Sequence, residues 1–103
     1  MNYEICVIGS ESLLFPFLQF GFATFTPRSE GELRDYLRGV IEKKYGIIYI
    51  EDSYCFSVRD MIDAAAGELT PIIVPIGENK NGESYSRLMM KEMMERAVGR
   101  NVL

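Results

Sequence analysis

Few side chains in this 103-residue sequence stand where they could do chemistry, and the clearest group lies near the amino terminus. Gly9-Ser10-Glu11-Ser12 follows an apolar run and precedes a predicted helix, and backbone N–H groups at such a junction can bind a phosphate. The segment lacks the further glycines of a dinucleotide-binding loop and the Lys of a Walker loop. We therefore interpret it as a tight turn followed by a helix cap.

Asp52 is the second candidate, because it follows the third predicted strand at the place where a receiver domain carries its phosphoacceptor aspartate. A receiver also needs an acidic pair after the first strand and a Lys near the sheet. Here only Glu11 is available for the pair, and Lys80 lies in a loop after the fourth strand. We interpret Asp52 as a cap of its own helix. The alternative function is a stand-alone receiver-like signalling domain phosphorylated at Asp52. A third alternative is a small flavin-binding protein, which needs a phosphate loop richer in Ser and Thr.

The composition excludes several classes of site. The absence of His removes the Ser-His-Asp triad and His-ligated zinc. A net charge of −4 argues against a nucleic-acid groove, which needs clustered Lys and Arg. Cys6 and Cys55 are not in metal-ligand spacing, so we expect reduced, buried thiols. No basic amino-terminal region and no apolar run of about 20 residues is present, so we expect neither export nor a membrane span. We expect no catalytic, cofactor-binding or metal-ligating residues.

Alternating apolar runs and helical patterns predict the elements that must position these residues. The predicted strands cover residues 3–8, 22–26, 47–50 and 72–76, and the predicted helices cover about 12–20, 29–44, 52–66 and 84–98. The fold class is therefore α/β: a small four-stranded parallel sheet, Rossmann-like or flavodoxin-like, with strand order 2-1-3-4 and a C-terminal helix. Pro71 and Pro75 remove ladder donors, so the fourth strand should pair mainly on one side.

The last predicted helix carries four of the six methionines, in two neighbouring apolar rows. Methionine is flexible and polarizable and suits surfaces that adapt to a partner. The candidate partner-binding residues are Met89, Met90, Met93, Met94, Ala97 and Val98. The alternative is that this face packs on its own sheet as a crossover helix.

Several segments together resemble a known family from end to end. They are Phe17-Leu18-Gln19-Phe20-Gly21-Phe22, Tyr45-Gly46-Ile47-Ile48-Tyr49-Ile50-Glu51, Leu69-Thr70-Pro71-Ile72-Ile73-Val74-Pro75-Ile76 and Ala97-Val98-Gly99-Arg100-Asn101-Val102-Leu103. In this order and length, the chain resembles the F-subunit family of V-type ATPases and ATP synthases, in its bacterial form. It departs from the family at Ser10, where many members have Asp.

This resemblance implies a non-catalytic rotor subunit of the central stalk. Such a subunit binds the coiled-coil D subunit, contacts the membrane ring only through the stalk, and lies in the cytoplasm at the membrane periphery. Residues 1–76 would form a Rossmann-like docking domain, 77–83 a flexible loop and 84–103 a C-terminal helical segment of one compact domain. That segment would reach the A and B subunits of the catalytic head and modulate ATP hydrolysis.

Overall fold

The computed structural model describes residues 4–77 and 83–102, with side chains as far as Val98 in the last helix. The strands are β1 (Ile5–Ile8), β2 (Ala23–Phe25), β3 (Ile47–Glu51) and β4 (Ile72–Ile76). The helices are α1 (Glu11–Leu14), α2 (Glu30–Glu42), α3 (Asp52–Cys55), α4 (Arg59–Ala65) and α5 (Tyr85–Val102), with 3-10 turns at Phe15–Phe20 and Phe56–Val58. Most of the predicted flexible loop, residues 78–82, lies outside the described residues.

The four strands form one parallel sheet in the order β2-β1-β3-β4, which confirms the predicted α/β fold and strand order. Cys6 of the central strand β1 lies opposite Ala23 on one side and Ile48 on the other. In the described parts of the chain, β4 pairs with β3 alone. This one-sided pairing agrees with the prolines at 71 and 75, which have no N–H to donate to a second neighbour.

The two faces of the sheet are covered unequally, since successive residues of a strand point to opposite faces. One face packs against α2 and the elements that follow β3. Its fully buried cluster consists of Cys6, Ile8, Leu33, Leu37, Val40, Ile48, Ile50, Cys55, Val58 and Tyr85. On the other face, Val7, Tyr49 and Val74 lie in register across three strands. Of these three only Val7 is fully buried, so the main core lies between the sheet and α2–α5.

The start of α2 follows the predicted capping pattern. Ser29 is the N-cap, and its hydroxyl oxygen accepts a hydrogen bond from the Glu32 backbone N–H at 3.1 Å. The Glu32 carboxylate reaches back to the N–H of Arg28 at 3.2 Å, one residue earlier than in a standard capping box. Leu33, Leu37 and Val40 then face the sheet on one stripe of the helix.

Two of the predicted helices are interrupted. The first changes to a 3-10 turn after Leu14, because Pro16 has no N–H to continue the α-helical ladder, and Gly21 ends the turn at a φ of 74°. The helix after β3 changes to a 3-10 turn at 56–58. There the Arg34 guanidinium donates a hydrogen bond to the Ser57 carbonyl oxygen at 2.8 Å. In a regular helix, this oxygen would accept from a backbone N–H of the next turn. Val58 leaves helical geometry with ψ at 23°.

The remaining differences concern element ends. Strand β1 begins at Ile5 and β2 covers only Ala23–Phe25, both shorter than predicted. Helix α5 runs to Val102 and does not end at Gly99 as predicted. A single Gly costs a helix about 1 kcal/mol relative to Ala, which weakens the helix without forcing its end.

Candidate functional site

The candidate phosphate position at the end of β1, which we interpreted as a structural turn, is occupied by a carboxylate of the chain itself. The Glu51 carboxylate accepts hydrogen bonds from the backbone N–H of Ser10 at 2.9 Å and from the Ser10 hydroxyl at 2.8 Å. Its other oxygen accepts from the Ser53 hydroxyl at 3.2 Å. Both donors of Ser10 are therefore already paired, which agrees with our interpretation of this segment as a structural turn.

Close packing of side chains at this turn favours a glycine. A Cβ added at Gly9 would lie 2.6 Å from a methyl carbon of Leu13 and 3.1 Å from a Glu51 carboxylate oxygen. Ser10 is the N-cap residue of α1, but its side chain makes no capping hydrogen bond, because its hydroxyl donates to Glu51. The helix cap expected from Ser10 or Ser12 is therefore not made by the Ser10 side chain.

Asp52 caps a helix, but not its own. This side chain is only 2% exposed. One of its carboxylate oxygens accepts from the Tyr85 N–H at 2.6 Å, and the other accepts from the Ser86 N–H at 3.1 Å. The hydroxyls of Ser84 and Ser86 donate to the second oxygen at 3.3 and 3.1 Å. Asp52 thus holds the N-terminus of α5, where the helix dipole favours a negative charge.

The reason for this change of partner lies in how β3 ends. The strand runs directly into α3, with Glu51 in the N-cap position, so Asp52 is already the first helical residue. Its side chain meets the start of α5 and accepts four hydrogen bonds there. A carboxylate so buried and so fully paired does not support the receiver alternative, in which Asp52 would have to meet a phosphodonor.

The first two turns of α5 are docked on the domain by one stripe of side chains. Tyr85 is 2% exposed, and its ring packs against Phe56 at a centroid distance of 5.5 Å. Met89 packs partly buried against the core cluster. Glu92 forms an ion pair with Arg59 of α4 at 2.9 Å. The spacing 85, 89 and 92 places all three on one face of the helix.

The buried groups beneath α5 have their acidities shifted by burial. Burial raises the pKa of the Tyr85 phenol, whose oxygen is buried and has no hydrogen-bond partner among the described residues. Burial likewise raises the pKa of the Cys55 thiol to about 12, with the charge of Asp52 adding to the effect. Cys6 is also buried with a raised pKa, and both thiols are free, as predicted. Neither thiol has the lowered pKa that reactive cysteines show.

From Met90 onward, the apolar side chains of α5 face outward. Met90, Met93 and Met94 are 63%, 64% and 62% exposed, and Val98 is 58% exposed. Ala97 is also exposed. Of the six candidate partner-binding residues, five are therefore accessible, and Met89 belongs to the docked stripe. The molecule measures 49 Å along its longest axis and 25 Å along its shortest, as expected when one helix extends past the sheet.

A second exposed apolar group was not anticipated. Leu18 and Phe20, two apolar residues of the first predicted helix, are 58% and 69% exposed, and Phe15 beside them is 68% exposed. The break at Pro16 rotates the following residues out of the helical stripe. The link from Asp52 to α5 was also missed. A signal for it exists in the sequence, since the first turn of α5 contains no acidic residue of its own.

The described ranges, 4–77 and 83–102, contain no cluster of His, Cys, Asp and Glu suited to a metal ion. None of the helices described is long and apolar enough to cross a membrane.

Comparison with known proteins identifies the family. The family model for the ATP synthase (F/14-kDa) subunit matches residues 5–96, nearly the whole chain. The chain belongs to this family. A relative from Clostridium perfringens (strain 13 / Type A), described as the F subunit of a V-type ATP synthase, is 20% identical over 103 residues and is matched over 98% of its length. The matched region contains the Asp52 cap and the docked half of α5. As an ATP synthase subunit of the F/14-kDa family, the chain is part of a multi-subunit enzyme complex.

Proposed function

We propose that this chain is a non-catalytic rotor subunit of the central stalk in a V-type ATPase or ATP synthase. It binds the coiled-coil D subunit and helps to couple ATP hydrolysis or synthesis to ion translocation. It lies at the cytoplasmic periphery of the membrane and meets the membrane ring only through the stalk. Membership of the F/14-kDa family and the name of the Clostridium perfringens relative support this assignment.

The observation that carries the proposal is the unequal exposure of α5. Its outward face presents three methionines to solvent, Met90 on the docked half and Met93 and Met94 on the outer turns, each more than 60% exposed. Burying a large apolar side chain is favourable by roughly 1.5–3 kcal/mol, so exposed neighbours of this kind favour a contact with another protein. We assign the outer turns to contact with the A and B subunits of the catalytic head.

The rest of the chain then serves as the docking domain. Residues 1–76 would bind the coiled-coil D subunit across a broad surface, so that torque is spread over many contacts and does not depend on one residue. Residues 77–83 would connect this domain to the helical segment 84–103. When α5 contacts the head it shifts the populations of active and restrained states, which is how the chain modulates ATP hydrolysis.

Co-expression with the coiled-coil D subunit of the same organism tests the first part of the proposal. Size-exclusion chromatography with light scattering should give a stable one-to-one complex of the two chains. The matched control is a chain that ends at Glu92 and so lacks the outer turns of α5, which should still bind the coiled coil. If the full chain elutes alone in the presence of the folded coiled coil, the rotor assignment is wrong.

A further inference from the structure

One buried carboxylate connects the last helix to the sheet. Asp52 lies at the end of β3, and its hydrogen bonds to the start of α5 join residues 33 positions apart in sequence. In the described part of the chain, the other side-chain hydrogen bond that holds α5 to the domain is the Arg59–Glu92 pair. The side chains of this pair are 45% and 35% exposed. Exposed pairs contribute little, so Asp52 is the dominant polar attachment.

The docked position of α5 also contains a feature that opposes docking. The Tyr85 phenol oxygen is buried without a hydrogen-bond partner among the described residues. A buried polar group without a partner is less stable than the same group in water. The apolar ring of Tyr85 favours the docked position, while its hydroxyl favours release. The hydroxyl therefore offsets only part of the stabilisation that the buried ring provides.

We infer that Asp52 is a latch that holds α5 in the docked position, and that loss of its hydrogen bonds frees the whole helix from the domain. The use of this release in regulating ATP hydrolysis rests on the proposed function; the latch itself does not. While Asp52 is engaged, the first two turns are fixed and the outer turns form a rigid arm. A helix of 18 residues is about 27 Å long, so a force on the outer turns produces a large torque at the Asp52 hydrogen bonds.

Amide hydrogen exchange on the full chain tests the latch directly. Asp52→Asn keeps the size of the side chain but removes the charge and one acceptor oxygen. We expect exchange in α5 to become at least about tenfold faster, with the amides of α2 unchanged. The matched control is Glu92→Gln, which removes the exposed ion pair and should change exchange in α5 by no more than about twofold.

A second variant should change amide exchange in α5 in the opposite direction and should leave the fold intact. Tyr85→Phe removes the unpaired hydroxyl while keeping the ring, so exchange in α5 should become slower. The latch is refuted if Asp52→Asn leaves exchange in α5 unchanged, or accelerates α2 and α5 equally, since Asp52 would then support only global stability. If Asp52→Asn does not fold, Ser86→Ala takes its place, since it removes a hydroxyl that donates to Asp52 at 3.1 Å, and unchanged exchange in α5 then refutes the latch.

The latch and the proposed function can fail separately. Exchange is measured on this chain alone and needs no partner. Binding to the coiled-coil D subunit is measured by co-elution, and Asp52→Asn should leave it intact because the docking domain remains folded. If Asp52→Asn accelerates exchange in α5 as expected, but the chain does not co-elute with the coiled-coil D subunit, the rotor assignment is refuted and the latch is kept. Co-elution with unchanged exchange in Asp52→Asn refutes the latch and keeps the rotor assignment.

Discussion

The two halves of α5 have similar composition and opposite environments. In the inner half, Tyr85 is 2% exposed and Met89 packs against the core. In the outer half, Met93 and Met94 are more than 60% exposed. The difference comes from the reach of the domain, which supports the helix only as far as Glu92. The same kind of apolar side chain therefore stabilises the fold in one half and remains available to a partner in the other.

This contrast separates two roles that a helix can combine. The inner half is fixed by a buried carboxylate, a buried ring and an ion pair. The outer half continues the helix by backbone hydrogen bonds, with an exposed ion pair between Lys91 and Glu95 at 3.9 Å. An isolated helix of so few residues is marginal in water, so the docked half also stabilises the conformation of the exposed half. Substitutions in the two halves should therefore have very different consequences.

The largest expected effect is that of Tyr85→Ala. Removing a fully buried aromatic ring from a core costs about 3–5 kcal/mol. Because Tyr85 belongs to the main buried cluster, the free energy of unfolding should fall by this order of magnitude. Urea unfolding followed by circular dichroism measures it. Tyr85→Phe is the control and should lie within about 1 kcal/mol of the wild type, because the lost hydroxyl has no described partner. Equal losses for both variants would contradict the packing role of the ring.

The second effect is a loss of stability at alkaline pH that originates beneath the docked half. Burial raises the pKa of Cys55 to about 12 from 9.0. A raised pKa in the folded state means that the stabilisation is complete below pH 9 and is lost as the pH rises toward 12. One such group can lower stability by at most about 1.4 kcal/mol per pH unit in that window.

Thermal unfolding between pH 8 and pH 11 measures this loss, and Cys55→Ala should flatten the dependence. At pH 8 the native thiols should react slowly with a disulfide reagent and rapidly after unfolding, since both cysteines are buried. Fast reaction of the native protein would show that the thiols are accessible and that the inferred pKa shift does not exist.

The order of the elements could be predicted because the signals are local. Apolar runs such as Ile47–Ile50, bounded by Gly46 and polar residues, specify strands from neighbouring residues alone. The parallel order then follows from the helical crossovers. The interruptions were harder to predict, since the break at Ser57 depends on Arg34, which is 23 positions away in sequence.

The candidate site could be predicted only in part, for the same reason. The sequence identifies Asp52 as a capping residue, but its partner helix starts 33 residues later and is brought to it by the fold. The carboxylate at the turn after β1 comes from Glu51, which is 41 positions from Ser10 in sequence. The methionine rows were recognised from periodicity, yet only the structure separates the docked Met89 from the exposed Met93, because periodicity carries no information on where the domain ends.

A smaller effect is expected at the boundary between the two halves. Glu92→Gln removes the ion pair with Arg59, whose hydrogen bond to Glu92 raises the pKa of the guanidinium. Both side chains are partly exposed, so the loss of stability should be several-fold smaller than that of Tyr85→Ala. Repeating the unfolding at high salt should leave the variant unchanged and weaken the wild type. A large loss of stability at every salt concentration would show that α5 is docked on the domain beyond Glu92.

The smallest effect on stability is expected where the effect on function should be greatest. Replacing both Met90 and Met94 with Asp changes two exposed side chains, so the free energy of unfolding should change by about 0.5 kcal/mol or less. If the exposed methionine face of α5 contacts the catalytic head, the same variant should abolish the effect of this chain on ATP hydrolysis by the reconstituted complex. Replacing both residues with Leu keeps the apolar surface and should retain the effect. A folded Asp variant that still modulates hydrolysis would assign the contact to another surface, whereas a strongly destabilised one would show that the outer half is docked as well.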